Sequence, residues 1–579
     1  GVRVIGCGWG WADSCRTVRW SRILLQALAS GPRSDRMASA PQTATATMLF
    51  LTWLTSFSSA AHSCQRPTTV YHAFNQRFHE VKGKLDSLAS VYDGVQISPA
   101  QKSIGGHQWW GRYQPVDHCV IDGLGSKEEL ADLCRHAKDK GIRIIADVVF
   151  NHMSVIAHRG DWQRAQRDQR FNEELLHRLD THFPGLTRDD FHPWKDMMGD
   201  DWDNENRFEG WGAGEWSDLK PTEKVLLRHQ KHIDMLLEAG VTGFRFDAAK
   251  HIRPRTLRAY VDYIRQICKD AYIYLEVLSP DPEQHAPFLG WADTTDFQFC
   301  FDLRNALHQQ VFREPPAVPD REDSVLFVRN HDTIQNHDFA QSHGYSPSDP
   351  KLSLAWVMLL AHPKGTVLVY PEDEGLHKDG KEPVRAALQF RREMQRRHAP
   401  PGTVVSVNET LPSSAQHGAA VLRSGEAMPQ EGEGVKQAAE LERLAGATEM
   451  QSVRRMMLAM AEKCRKESHG QQSPRRASFW HRQKKEENQE LGRLVVVLRG
   501  EEGAAVCNFG HKWCNASLVE EATRGVLKGS YRETIYGFDV EFDAKGKVVS
   551  WGGAAPKEQC VGPQSSLLLL KHSKKKIIV

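Results

Sequence analysis

The stretch Val241-Thr-Gly243-Phe-Arg245-Phe-Asp247-Ala-Ala-Lys250-His251 decides the fold. It opens as an apolar, β-prone run and closes on charged residues. A helical pattern through Val225, Ile233, Leu236 and Leu237 precedes it and stops at Gly240. A glycine just past the last periodic residue reads as a helix C-terminal cap. The same cycle occurs on both sides. Lys127 to Lys140 places Leu130, Leu133, Cys134 and Ala137 on one stripe, Gly141 follows as the cap, and Ile142 to Val149 reads as a buried strand. Downstream, a helix around Leu257 to Lys269 runs into a strand from Ala271 to Val277. Helix then buried strand, repeated at this spacing, predicts βα units and a parallel sheet. Sustained over this much chain, the repeat favours a closed TIM-type (β/α)8 barrel over an open doubly wound sheet. No Gly-x-Gly-x-x-Gly or Walker-type loop follows any of these strands, so nucleotide binding has no anchor.

Four strand-like runs end on charged residues: Ile144-Ile-Ala-Asp147-Val-Val-Phe-Asn151-His152, Gly243 to His251, Tyr272-Ile-Tyr-Leu-Glu276, and Leu326-Phe-Val-Arg-Asn330-His331-Asp332. In a parallel α/β fold the carboxyl ends of the strands share one face, where ligands bind. Asp247, Glu276 and Asp332, delivered there by three strands, form the carboxylate set that glycosidic-bond chemistry uses. Singly, each reads better as a turn or cap residue; together and in order, the catalytic reading is stronger. Arg245 lies two residues before Asp247 and so on the same side of its strand. A guanidinium there is expected to hold Asp247 ionised, whereas the apolar surroundings of Glu276 suit a carboxyl that stays protonated.

These four segments resemble the four motif regions of the α-amylase family, glycoside hydrolase family 13. Asp93-Gly-Val-Gln-Ile-Ser-Pro99, continuing to His107-Gln-Trp109-Trp110-Gly-Arg-Tyr113-Gln114-Pro115, resembles that family's second barrel strand and substrate-stacking loop. The resemblance covers roughly residues 68 to 395 and resumes near 491. It implies Asp247 as nucleophile, Glu276 as acid/base and Asp332 as the carboxylate that binds sugar hydroxyls and helps distort the ring. His152 and His331 would donate hydrogen bonds to the same sugar, and Asp147 would support the first motif. Trp109, Trp110, Tyr113 and Gln114 would line the substrate cleft, with flat aromatic faces against sugar C–H surfaces. Lys250 and His251 would lie on the leaving-group side.

The resemblance also implies a structural Ca²⁺ with oxygen ligands, held by Asn151, Asp218 and the backbone carbonyl of His251. Arg245 and Asn330 match two positions of a chloride site found in part of the family. Leu368, in Ala361-His362-Pro363-Lys364-Gly365-Thr-Val-Leu368, stands where the third, basic ligand belongs. Its absence argues against chloride dependence. The implied activity is endo-hydrolysis of internal α-1,4 bonds in starch-like glucans with retention of configuration, by a monomer. The alternatives are an α-1,6-glucosidase or glucanotransferase on the same fold, and a non-catalytic glucan-binding protein.

Composition is consistent with this. Lys plus Arg total 75 against 73 for Asp plus Glu, which gives no electrostatic case for nucleic acid or membrane surfaces. Residues 1–67 differ from the rest: Met48 to Ala61 is apolar, too short to span a bilayer, and closes on small residues after Arg33 and Arg36, the pattern of a secretory signal. A protein secreted or within the secretory pathway is therefore expected, with a cytoplasmic one the alternative if this run is not a signal, and in the secretory route Asn408 and Asn515 would be glycosylation acceptors. The barrel is assigned to 68–152 and 223–399, with an inserted domain at 153–222 after the third strand. Residues 400–490 form a polar insertion with one amphipathic helix pattern from Gly434 to Lys466, and 491–579 a C-terminal β-sandwich.

Overall fold

The computed structural model describes residues 66–105, 108–193, 216–279, 282–308, 321–335, 350–377, 380–400, 402–408, 493–510, 513–553, 560–562 and 564–572. The apolar run at 48–61 and the helix pattern at 434–466 lie outside the described residues.

Eight strands close into a barrel. In chain order they are Thr69–Ala73, Gly94–Ile97, Arg143–Val148, Gly243–Phe246, Tyr272–Leu275, Asp293–Thr295, Ser324–Leu326 and Thr366–Val369. Neighbours run parallel, and the first closes on the last through Thr69–Val367 and Tyr71–Val369 pairs. The helices expected from periodicity are present as Lys127–Asp139, Glu223–Glu238 and Pro254–Ile267. Gly141 and Gly240 sit past two of them at φ 71° and 97°, which a side chain rarely adopts.

Register sets what faces the barrel axis. One row pairs Ile145, Gly243 and Tyr272; the next row on that face pairs Asp147, Arg245 and Tyr274. The first row belongs to an apolar interior cluster with Val70, Val325, Phe327 and Leu368. A Cβ at Gly243 would stand 2.7 Å from Ile145 Cγ1 and 3.3 Å from the Tyr272 carbonyl, so only glycine fits in this row. The second row is charged, and it floors the carboxyl end of the barrel. Outside the strands, a larger apolar layer joins barrel and helices through residues such as Phe78, Leu133, Phe244, Leu257 and Trp356.

The insert after the third strand is joined to the barrel by a two-stranded ribbon, His152–Met153 against Ser217–Asp218. Its described part is mainly helical, Arg159–Ala165 and Gln169–His182, around a small core of Trp162, Leu175, Leu179, Phe183 and Phe191.

The C-terminal strands form one seven-stranded antiparallel sheet among the described residues, where the sequence suggested two sheets of a sandwich. It also begins earlier than 491. Thr403–Asn408 pairs along its whole length with Arg493–Leu498, so the intervening polar segment interrupts this domain and does not precede it. One face of the sheet (Val495, Val497, Ala505, Cys507, Leu568) joins the barrel core. The opposite face (Leu494, Val496, Ala504, Val506, Leu567) packs with the helix Ala516–Thr523.

Beneath the seventh strand, Arg329 Nε donates to both Asp373 carboxylate oxygens at 2.9 Å, and Trp356 Nε1 donates to the same group at 2.8 Å. Both ionic partners are buried, and the pair anchors the backbone that leads into Asn330, His331 and Asp332. Removing one partner of such a pair leaves an uncompensated buried charge. Asp373→Ala should therefore lower unfolding free energy by about 3–5 kcal/mol, measured from the urea midpoint, and should lower activity through the displaced 330–332 segment.

Candidate active site

Arg245 organises the carboxyl face of the barrel. Its Nη1 donates to Asp147 Oδ1 (2.8 Å), Asp147 Oδ2 (2.6 Å) and Asp247 Oδ1 (2.9 Å), and its Nη2 lies 2.7 Å from Glu276 Oε1. Strands three, four and five thus converge on one guanidinium that is 3% exposed. Tyr113 O–H donates to Asp147 Oδ2 at 2.9 Å. The Ala248 N–H donates to Glu276 Oε2 at 2.8 Å. Ala248 takes φ 47°, a left-handed conformation that costs a non-glycine residue about 1 kcal/mol. That turn aims its amide at Glu276 directly after Asp247.

The charges do not balance. Among the described residues, Asp147, Asp247, Glu276 and Asp332 share Arg245 as their nearby cation. Burial raises Asp247 well above the usual carboxylate range, Glu276 adds to this, and Arg245 opposes it. The sequence-based expectation that Arg245 holds Asp247 low is therefore not met in the free protein; desolvation and like charges outweigh the guanidinium. Asp332 is pushed up to about 8 by burial and then by Glu276, and Asp147 to about 6 by burial against the pull of Arg245. Burial alone would pull Arg245 down, and its carboxylates more than reverse this. The free site thus holds protons among its carboxyls, the condition under which one acts as an acid beside an ionised partner.

His331 is clamped between two rings: Tyr113 stacks on one face (5.1 Å, 8°) and Phe74 on the other (4.8 Å, 22°). Its Nε2 lies 3.4 Å from Asp332 Oδ1, and Asn330 Nδ2 donates to Asp332 Oδ2 at 3.4 Å. Trp109 stands edge-on to His331 at 6.2 Å, whereas Trp110 is exposed. His152 is fully buried, stacks on Trp216 at 4.3 Å and contacts the Tyr113 carbonyl through Nε2 at 3.1 Å. Burial lowers its pKa to about 4, so it is neutral at neutral pH.

Two expected substrate residues have other duties in this structure. Gln114 is buried, and its Oε1 accepts from the Val155 amide at 3.0 Å, which ties the stacking loop to the insert. Lys250 is buried, and its Nζ donates to the Leu278 carbonyl at 2.7 Å, which joins the ends of strands four and five. His251 lines a cavity of about 120 Å³ together with Asn151, His192 and Lys220. Asn151 lies beside Asp218, and the paired strands of the ribbon bring these residues together. Phe74 and His72, which packs against His331 at 5.0 Å, were missed by sequence reasoning. Their only signal was their place at the end of the first barrel strand.

A parallel barrel whose carboxyl face gathers close carboxylates on one cation defines the class of site used by glycoside hydrolases. The family model described as "Alpha amylase, catalytic domain" matches residues 83–400. An alpha-amylase from Aeromonas hydrophila is 30% identical over 352 residues, 54% of this chain and 73% of that protein. An alpha-amylase-related protein from Drosophila auraria is 28% identical over 337 residues, 54% of this chain and 66% of that protein, just under two thirds of its length. Among solved structures, a mutant of alpha-amylase I from Eisenia fetida superposes with a TM-score of 0.55 at 16% identity, over 87% of this chain and 97% of that one, a likeness of fold. The chain belongs to the α-amylase family of glycoside hydrolases.

Because Asp147 is raised in the folded protein, its stabilising effect is complete below the ordinary carboxylate value of about 3.9 and is lost as pH rises through about 6. Asp147→Asn removes that dependence. From about pH 4 to pH 6 the thermal midpoint of the native protein should fall relative to that of the variant, with the buried histidines common to both. A difference that stays constant would show that Asp147 does not titrate abnormally.

Proposed function

We propose that this protein is an endo-acting α-amylase that hydrolyses internal α-1,4 bonds of starch-like glucans by double displacement with retention. One observation carries the reading: Asp247 and Glu276 are bound by the two terminal nitrogens of one guanidinium. That sharing supports the close carboxyl pair of retaining enzymes, about 5–5.5 Å apart, over the wider pair that admits a water between them. Asp247, in its ionised form paired with Arg245, attacks the anomeric carbon while Glu276 protonates the leaving oxygen. Glu276 then takes a proton from the water that releases the glycosyl group. Asp332, held by Asn330 and His331, binds hydroxyls of the same sugar. The exposed Trp110 and the Trp109 edge offer apolar surface to neighbouring sugars.

Asn151, Asp218 and the His251 carbonyl would hold Ca²⁺, which when bound supplies charge that fastens the insert to the barrel. The donors fit. Asp218 is buried, its Oδ2 accepts no hydrogen bond, and burial raises its pKa well above the usual range despite Asn151. His192 Nε2 stands 3.9 Å from that oxygen, beyond hydrogen-bonding reach, and a hard cation would complete it. A chloride fits poorly, because Leu368 sits in the apolar interior and Arg245 is already bound to three carboxylates.

Glu276→Gln should lower kcat on soluble starch by about 10²–10⁴-fold with little change in KM, and Asp247→Asn should abolish the rapid viscosity loss. Starch binding without reducing-end release by the native protein would instead point to the non-catalytic reading. Chelation with EDTA should lower the thermal midpoint, and added Ca²⁺ should restore it; Asp218→Asn should lose both responses. A midpoint unmoved by EDTA would count against the calcium assignment.

A further inference from the structure

We propose that Cys514 and Cys560 are a disulfide-forming pair that staples the last strand of the C-terminal sheet to the start of its covering helix. This is independent of the catalytic reading and rests on backbone geometry. The N–H groups of Cys560 and Val561 both donate to the Cys514 carbonyl, at 2.8 and 3.1 Å, and the Cys514 N–H donates to the Val561 carbonyl at 2.9 Å. Two consecutive residues therefore oppose one, which is a β-bulge.

The bulge matters for side-chain direction. In a regular antiparallel pair successive side chains alternate between faces, so Val561 and Cys560 would point apart. Doubling the position cancels that alternation and turns Cys560 towards the side Val561 occupies, where Cys514 also points. Burial agrees: Cys514 (0% exposed), Cys560 (7%) and Val561 (0%) all belong to one apolar cluster with Leu518, Val519 and Val506. Cα atoms in a hydrogen-bonded antiparallel pair such as Cys514–Val561 stand about 5.5 Å apart, and the bulge sets Cys560 beside the same carbonyl, near the range of about 4.4–6.8 Å that a disulfide spans; the two cysteines are not joined in this structure.

The neighbouring sheet cysteine does not compete. Cys507 lies one residue from Val506 on the strand Gly503–Asn508, and the pleat turns it to the opposite face, into the barrel cluster. The pair also sits at a useful junction. Cys514 immediately precedes Asn515, whose side chain caps the helix Ala516–Thr523 by accepting from the Leu518 amide at 3.0 Å. Cys560 leads into Val561 and Gly562, whose carbonyls both accept from Asn508 Nδ2, at 3.0 and 2.9 Å, and then into the strand Ser565–Lys571. That strand lies at the centre of the sheet, and Leu568 from it packs into the barrel core.

The chemistry is thiol–disulfide exchange. Two thiols lose two protons and two electrons to form one S–S bond, and an external disulfide, small-molecule or protein-borne, is reduced to two thiols. A thiolate must form first, and the burial of both sulfurs places that step early, before the C-terminal sheet closes over them.

The test uses the full chain, refolded or secreted in the presence of oxidised glutathione. It is then denatured directly into an alkylating reagent without reductant and digested. The expected result is a linked peptide carrying Cys514 and Cys560, with Cys507 alkylated. Dithiothreitol should lower the thermal midpoint of the native protein by several degrees and leave that of Cys560→Ser unchanged. Full alkylation of Cys514 and Cys560, or linkage of either to another cysteine, would overturn the proposal. Peptide mapping reads the native protein, so this holds even if the variant fails to fold.

Discussion

A single guanidinium holds the functional end of this protein together. Arg245 sits between Asp147, Asp247 and Glu276, and each of those carboxyls comes from a different strand of the barrel. Three anions this close repel one another and lose hydration on burial, so without the cation the barrel mouth would have to open or take up further protons. The interaction depends on strand register. Asp147 and Arg245 are direct neighbours in the ladder, and a shift of one residue would send both side chains into the helix layer. Gly243 in the row below contributes to that register, because Ile145 leans over the space where a side chain would stand.

Around this centre the supports are of different kinds. Stacked rings hold His331 in place, and the buried Arg329–Asp373 pair fixes the strand that carries it. The insert is attached through a two-residue ribbon whose members, His152 and Asp218, both have polar atoms buried without a hydrogen-bond partner. Such atoms are costly in a finished core. The electrostatics of folding run in opposite directions with pH. Buried His72, His118, His152 and His232 are held to about 3–4 by burial, so the stability tied to their neutrality is full above about 6.5 and lost as pH falls. The raised carboxyls of the mouth lose theirs as pH climbs. The pH dependence of stability thus has opposite contributions from two buried populations.

Much of this was legible in the chain. The helix–strand cycles at 127–149, 223–247 and 254–277 carry strong periodicity and glycine caps, and the four charged strand ends give the site its members. What was hidden depends on partners far apart in sequence. Thr403–Asn408 shows no sign that its partner is Arg493–Leu498, because the intervening polar segment breaks the pattern. Short strands such as Asp293–Thr295 have too few residues for a period to register. Phe74 has no chemistry of its own and becomes a site residue only by lying against His331. Likewise the pKa of Asp247 follows from how many carboxyls crowd the same guanidinium, a count that the Arg245–Asp247 spacing does not contain.

The most direct test of the central claim is the anomeric configuration of the first product. Proton NMR of a maltooligosaccharide digest, recorded within seconds of mixing and before mutarotation, reads it. The account predicts that the new reducing ends appear first as the α-anomer, the outcome of a nucleophile and an acid held together on Arg245. Initial release of the β-anomer would mean single displacement by water across a wider carboxyl pair, and would contradict it.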